Sequence, residues 1–415
     1  MTAITLSQDQ QAGYEAFASF ILSPHDTVFV LSGYSGTGKT TLVRTLLERL
    51  PNLFNTARLL DPDYPVMDIH LTATTTKAAD AYAHRSNSVV DTIHSALGLR
   101  VHTDYSTGKT RLIPKSQAVQ IEHTVLFIDE ASFMDSDMLR HTFKLTSKCK
   151  IVLIADPAQL LNVGSTSAPA FSAGFPEFRL TQVVRQAAGN PIIELSTKFR
   201  ETVDSGEFFS FQPDGHYIQH LDRQAFGKAI EDEFLRPDWM QSDSRVLTWT
   251  NKSAINYNHA IRDSVKGNPN FQAGDYAICN SFISRNRYSI KTDQMVCITG
   301  ISRNEVELDT PGAYYTVNNS ATFFMPDSLE LKKQRIKEAK STGNAQVLHQ
   351  IDSEWIDLRA AYACTINKAQ GSTFRKVFID LDDLKRCTSG NQLARLMYVG
   401  VSRASEQVIL TGDLV

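Results

Sequence analysis

Two α/β halves built on parallel sheets, interrupted by an inserted β-hairpin and later by an inserted small β-barrel, are what this 415-residue sequence predicts. Three observations predict it. Unbroken apolar runs recur at Val28-Phe29-Val30-Leu31, Val125-Leu126-Phe127-Ile128, Ile151-Val152-Leu153-Ile154 and Val377-Phe378-Ile379, the pattern of strands covered on both faces of a parallel sheet. Most of these runs lead into polar residues, as strand ends do at the edge of an α/β sheet. Two stretches break the pattern with short alternating strands and turn residues. Length agrees, because a chain of this size exceeds one ordinary core and suggests two to four domains.

Composition narrows the class without naming a partner. With 42% apolar and 21% charged residues the chain reads as a soluble globular protein. No apolar run approaches a membrane span, and the first residues lack the basic and apolar regions of a signal peptide, so a cytoplasmic protein is expected. Five scattered cysteines argue against a disulfide framework and against a zinc site. The formal net charge of −3 gives no overall attraction for nucleic acid, so any such binding must come from a local groove.

Taken in order, Ser7 caps a first helix carrying Ala12, Ala16, Phe17 and Phe20. On that helix Gln10 is either solvated or offers its amide to an adenine edge. After the first strand comes Gly33-Tyr34-Ser35-Gly36-Thr37-Gly38-Lys39-Thr40, which fits the phosphate-cradling pattern in every fixed position. Leu42, Val43, Leu46, Leu47 and Leu50 follow at helical spacing. A strand, a glycine-rich loop and a helix N-terminus turn successive amides toward one point, where a chain of phosphates can accept from them. Lys39 reaches the β- and γ-phosphates in such a loop, and Thr40 ligates Mg²⁺.

A strand ending in Leu71-Thr72-Ala73 leads to Thr74-Thr75-Thr76-Lys77, hydroxyls that either contact phosphates or cap the next helix. Thr92-Ile93-His94-Ser95 follows, with His94 readable as a structural histidine. Residues 99–114 alternate around Ser106-Thr107-Gly108-Lys109 and read as the inserted hairpin, with Tyr105 near its tip. The next strand ends in Asp129-Glu130. An acidic pair at that place beside a phosphate loop suits Asp129 to hold Mg²⁺ through water and Glu130 to polarise an attacking water. The third strand ends in Asp156-Pro157-Ala158-Gln159, so the strand ends share one crevice in which Gln159 senses a γ-phosphate or lytic water.

A turn at Gly174-Phe175-Pro176 marks the expected end of the first domain, residues 1–176, with the hairpin insertion at about 98–120. The second α/β domain then takes residues 177–267 and 354–415. Its strand Arg245-Val246-Leu247-Thr248-Trp249-Thr250 runs into Asn251-Lys252 and a helix. Residues 268–353 form the inserted small β-barrel, with a charged run of Lys332, Lys333, Arg335, Lys337 and Lys340 that is either a solvated face or a nucleic-acid patch. Near the C-terminus come Asn367-Lys368-Ala369-Gln370-Gly371 and a helix ending at Arg403. An arginine offered from a second domain to a γ-phosphate makes hydrolysis depend on domain closure.

This ordered set resembles the superfamily 1 helicases, within them the RecD-like branch, and most closely the small phage Dda-type DNA helicases. The resemblance runs through nearly the whole chain. Tyr398-Val399-Gly400-Val401-Ser402-Arg403-Ala404 and Asn367-Lys368-Ala369-Gln370-Gly371 are its most discriminating stretches. It implies two RecA-like P-loop NTPase domains, with ATP and Mg²⁺ as cofactors. For the nucleotide it implies Gln10, Gly33, Gly36, Gly38, Lys39, Thr40, Thr41, Asp129, Gln370 and Gly371, with Lys39, Glu130, Gln159, Arg185 and Arg403 carrying catalysis. For DNA it implies Thr75, Lys77, Thr92, His94, Asn251, Lys252 and Thr365. The hairpin takes the place of the family's strand-separating wedge, and the barrel that of its accessory domain.

The implied function is an ATP-dependent DNA helicase that translocates 5′→3′ on single-stranded DNA and separates duplex junctions. It would be monomeric, would act in the cytoplasm (the host's, if phage-encoded) and could meet single-strand-binding or replication proteins. Asn367 replaces the usual histidine, and Thr74, Ala155 and Asn162 also depart from the family pattern, but none removes a catalytic group. The rival readings are a P-loop kinase or NTPase that does not act on DNA, and a DNA-binding module with a vestigial ATP site.

Overall fold

The computed structural model describes residues 5–86, 89–104, 109–115, 120–161, 168–182, 189–240, 242–268, 270–285 and 288–414. The chain groups into two units, the first made of Met1–Val101, Leu112–Phe209 and Gly390–Ser402, the second of His102–Arg111, Ser210–Ser389 and Arg403–Val415.

In the first unit a six-stranded parallel sheet runs Glu177–Leu180, Val28–Gly33, Lys150–Ala155, Thr124–Asp129, Asp68–Ala73, Asp91–Thr92 from edge to edge. Every residue of Val28–Gly33 and of Lys150–Ala155 is buried. Helices cover both faces, so neither strand needs a polar side. Successive residues then serve opposite cores: Phe29 and Leu31 join Phe17, Leu42 and Phe127, whereas Val28 and Val30 join Leu126, Ile128 and Met138. The buried Lys150 donates to the carbonyls of Phe20 (2.9 Å) and Asp26 (2.8 Å), and burial lowers its pKa to about 8. Ser32 lies opposite Ala155, and Ala73 opposite Asp129. That register makes the phosphate loop, the acidic pair and Asp156 all leave the sheet at one edge.

The expected boundary at residue 176 needs moving. Glu177–Leu180 pairs with Val28–Gly33, Val30 facing Glu177 and Gly33 facing Leu180, so the first sheet continues beyond the Gly-Phe-Pro turn. A turn signal marks a chain reversal and carries no information about which sheet the next strand joins. The C-terminal helix Gly390–Ser402 is the other surprise: it packs on Pro191–Ser205 within the first unit, although the strands flanking it in sequence belong to the second. Leu99–Asp104 and Lys109–Pro114 pair as a two-stranded sheet where the hairpin was expected, while Tyr105 lies outside the described residues.

In the second unit a five-stranded parallel sheet runs Ile218–Leu221, Ala404–Thr411, Phe374–Asp380, Ser244–Thr248, Ala363–Thr365. The inserted stretch forms an antiparallel sheet in the order Ala321–Pro326, Thr310–Val317, Met295–Glu307, Tyr276–Cys279, Leu358–Arg359, with a bridge between Phe324 and Trp355. One continuous core joins the two sheets, since Val246, Phe378 and Ile409 pack in the same cluster as Val296, Ile298 and Phe323. The charged run folds as Leu329–Ser341, with Lys333, Lys337 and Lys340 exposed. Lys332 is different: it donates to the Trp355 carbonyl (3.2 Å), and burial lowers its pKa. Among the described residues no helix is long and apolar enough to cross a membrane.

Candidate functional site

Glycines shape the phosphate loop. Gly36 (φ 86°) and Gly38 (φ 81°) take left-handed backbone that other residues adopt only at a cost. Gly33 sits where an added Cβ would lie 2.8 Å from Thr37 Oγ1. Thr37 is buried and donates its hydroxyl to the Tyr34 carbonyl (2.9 Å), folding the loop over itself. The Lys39–Leu60 helix begins at Gly38 with no side-chain cap, so its first-turn amides are available for an anion at the positive end of the helix. Lys39 Nζ donates to the carbonyls of Gly33 and Tyr34 and stands 3.8 Å from Asp156 Oδ2. Thr40 is half-buried and Thr41 exposed.

Two helices hold the loop from outside. Tyr34 donates its hydroxyl to Asp204 (3.0 Å), and the Arg200 guanidinium lies 4.4 Å over its ring, both from Pro191–Ser205. Tyr398, on Gly390–Ser402, accepts from the Ser35 amide (2.7 Å) and donates to Asp156 Oδ2 (2.8 Å). Asp156 is 1% exposed and also accepts from the Ala158 amide (3.0 Å). Ser132 locks its backbone, accepting from the Asp156 amide (3.1 Å) and donating to its carbonyl (2.9 Å). Arg395, one turn before Tyr398, donates to the carbonyls of Pro157 (2.7 Å) and Gln159 (2.6 Å).

The acidic pair follows from local geometry. Asp129 ends its strand, and its carboxylate accepts from the Glu130 amide (2.9 Å). Glu130 has φ 54°, left-handed for a residue with a side chain, a conformation that costs about 1–3 kcal/mol and clusters at functional sites. Thr74 braces the turn, its amide donating to the Asp129 carbonyl (3.1 Å) and its hydroxyl to the Glu130 carbonyl (3.1 Å). A proline there could make neither bond. Gln10 is not solvated: it is 2% exposed, accepts from the Ser7 amide in a capping box, and donates to the Gly38 carbonyl (3.3 Å). The first unit therefore brings together Gln10, Gly33, Gly36, Gly38, Lys39, Thr40, Asp129, Glu130 and Gln159. Arg185 and Asn162 lie outside the described residues.

In the second unit Gln370, Gly371 and Arg403 share one neighbourhood. Gly371 has φ 78°, and the buried Arg403 donates to the Ser372 carbonyl (3.1 Å) while its own carbonyl accepts from the Phe374 amide (2.8 Å). Lys368, beside the unusual Asn367, is drawn to Asp293 (2.9 Å) and to Asn280.

Three of the residues expected to meet DNA share a local role. Thr75 accepts from the Ala78 amide, Thr92 from the Ser95 amide and Thr365 from the Lys368 amide, so each caps a helix. Asn251 and Lys252 are exposed in the first turn of Asn251–Lys266. His94 is half-buried, and burial lowers its pKa, which leaves the ring neutral at pH 7. Nothing is described of the Lys77 side chain. Reasoning from sequence missed Tyr398, Arg395 and Asp156 as site residues. Asp156 stood in view, a carboxylate ending a third buried strand; Tyr398 lay in a discriminating stretch without a role of its own, because it and Arg395 bond to partners far off in the chain.

A phosphate loop beside an acidic pair, on one of two parallel-sheet units, defines a P-loop ATPase. A model of the AAA domain family matches residues 5–222, and a model of the UvrD-like helicase C-terminal domain matches residues 360–411. The chain belongs to the AAA domain family and is an ATP-dependent DNA helicase. It is 19% identical to an uncharacterized protein of Acanthamoeba polyphaga mimivirus over 96% of this chain and 98% of that one. It is 29% identical to the ATP-dependent RecD2 DNA helicase of Deinococcus radiodurans over 40% of this chain and 20% of that one. The Pif1 helicase of Candida albicans shares its fold, with a TM-score of 0.50 and 16% identity over 99% of this chain and 95% of that one.

Proposed function

We propose that this helicase moves 5′→3′ along single-stranded DNA and opens the duplex ahead of it, as a monomer driven by ATP hydrolysis at the phosphate loop. The observation that carries the reading is the convergence of the uncapped Lys39–Leu60 helix, Asp129, Glu130 and Gln159 on one sheet edge, in a chain whose C-terminal part matches a helicase domain. Loop amides and Lys39 bind the phosphates, and Gln10 lies beside the loop to meet the adenine. Glu130 accepts the proton of a water whose oxygen bonds to the γ-phosphorus as the bridging P–O bond breaks toward ADP. Gln159 orients that water, and Arg185 and Arg403 stabilise the charge on the γ-phosphate.

Thr40 and Asp129 supply one hydroxyl and one carboxylate, a hard-oxygen set that suits Mg²⁺, which keeps waters and takes phosphate oxygens for its other ligands. When bound, Mg²⁺ would neutralise phosphate charge. Thr75, Lys77, Thr92, His94, Asn251, Lys252 and Thr365 grip the DNA backbone. What supports this grip is that Thr75, Thr92 and Thr365 all mark helix starts, where amides suit phosphate oxygens. The paired strands Leu99–Asp104 and Lys109–Pro114 act as the separating wedge.

Steady-state ATPase with and without single-stranded DNA tests the core of this reading. Stimulation by DNA is expected; turnover that ignores DNA would overturn it in favour of an NTPase of another kind. Strand displacement from duplexes bearing a 5′ or a 3′ overhang tests direction, with unwinding expected only from the 5′ overhang.

A further inference from the structure

The Gly390–Ser402 helix stands out because its contacts and its sequence neighbours disagree. It packs in the first unit, whereas the residue after it, Arg403, and the strands on either side belong to the second. On one face, at the three-residue spacing that makes helix side chains neighbours, it carries Arg395 and Tyr398. Tyr398 bridges the Ser35 amide of the phosphate loop and the buried Asp156 carboxylate, and Arg395 holds the carbonyls of Pro157 and Gln159. Both contacts fall on the loop that presents Gln159, which is itself 7% exposed. Neither side chain adds a group suited to nucleotide chemistry at its contacts; both act on backbone or on a carboxylate.

We propose that Tyr398 and Arg395 are positioning residues that clip the Asp156–Gln159 loop and the phosphate loop to the Gly390–Ser402 helix, so that Gln159 is held in place for γ-phosphate sensing by a rigid element of its own unit. The inference rests on the proposed role of Gln159 in ATP turnover. A buried carboxylate that loses its hydroxyl donor must find another or shift, and Asp156 has Lys39 as its nearest cation. Removing the hydroxyl therefore frees the Asp156 carboxylate and the Ser35 amide together and loosens the loop carrying Gln159, while Lys39 and the first-turn amides of the Lys39–Leu60 helix keep their own supports. The ring of Tyr398, 2% exposed, continues to fill the core after Tyr398→Phe.

The test is DNA-stimulated ATPase of wild type, Tyr398→Phe, Asp156→Ala and the double variant, with thermal melting to show that each is folded. Tyr398→Phe is expected to lower kcat about tenfold and leave KM for ATP within about twofold. The double variant should be no worse than the poorer single one, because both changes break one link. An unchanged kcat in Tyr398→Phe, or a raised KM with kcat unchanged, would overturn the clip. Multiplying effects in the double variant would do the same. Arg395→Ala removes the donation to both carbonyls, and the same fall in kcat is expected. Absence of turnover in wild type would instead sink the reading on which the clip rests, so the two failures are distinguishable.

Discussion

Lys39 is held in the phosphate loop by the carbonyls of Gly33 and Tyr34, and the nearest carboxylate oxygen, on Asp156, is 3.8 Å away. None of Gly33, Tyr34 and Asp156 is proposed to grip DNA, so the two tasks should separate. Lys39→Ala is expected to abolish ATP turnover while leaving single-strand affinity within about threefold, read by ATPase and by fluorescence anisotropy of a labelled oligonucleotide; loss of both activities would mean that the loop also organises the DNA groove. At this scale the sequence was most legible where chemistry demands a fixed spacing, as in Gly33 to Lys39 or Asp129-Glu130. It was least legible where a partner comes from elsewhere. Gln10 could not be told from a solvated residue until the loop that buries it was in place, and Tyr398 meets Asp156 across a sequence separation of 242 residues.

The Asn251–Lys266 helix shows how an element is aimed. Its N-terminus presents Asn251 and Lys252, and the turn before it is fixed by one buried carboxylate: Asp383 accepts from the amides of Trp249 (2.7 Å) and Thr250 (2.8 Å) and from the hydroxyls of Thr250 (2.8 Å) and Ser253 (2.7 Å). Removing it strands two amides that water would have to reach, and buried unsatisfied donors cost about 1–3 kcal/mol each. Asp383→Ala is therefore expected to lower stability by about 2–4 kcal/mol in urea unfolding and to weaken single-strand binding more than an exposed Asp→Ala change on the same face. Unchanged unfolding would show that the turn is held by the capping Thr250 alone. Spacing revealed that this helix exists, whereas the capping role of Thr250, read from sequence as the end of the strand, emerges only in the fold. Nor could spacing reveal the clamp, whose donors and acceptor come from opposite ends of the second unit's sequence.

For the whole molecule, the alternation of buried strands and helices was enough to foresee two parallel-sheet units, whereas their membership was not. The inserted sheet shares a core with the second parallel sheet, and Gly390–Ser402 packs away from its flanking strands. Both are long-range outcomes that periodicity does not encode. Charge is the other property of the whole chain that matters for function. A net charge of −3 supplies no general pull toward DNA, so affinity must rest on a few local cations, of which Lys252 is exposed at a helix start and Lys77 follows the capping Thr75. Each phosphate neutralised on a single strand releases condensed counter-ions and contributes about −0.7 to the slope of log K against log salt. Lys252→Ala should therefore weaken binding and also flatten that slope by about 0.7, whereas Asn251→Ala, which removes no charge, should weaken binding at an unchanged slope. Anisotropy titrations from 50 to about 300 mM salt would separate the two. A slope untouched by Lys252→Ala would place the DNA elsewhere on the second unit, and the exposed Lys333, Lys337 and Lys340 of Leu329–Ser341 would be the next cations to remove.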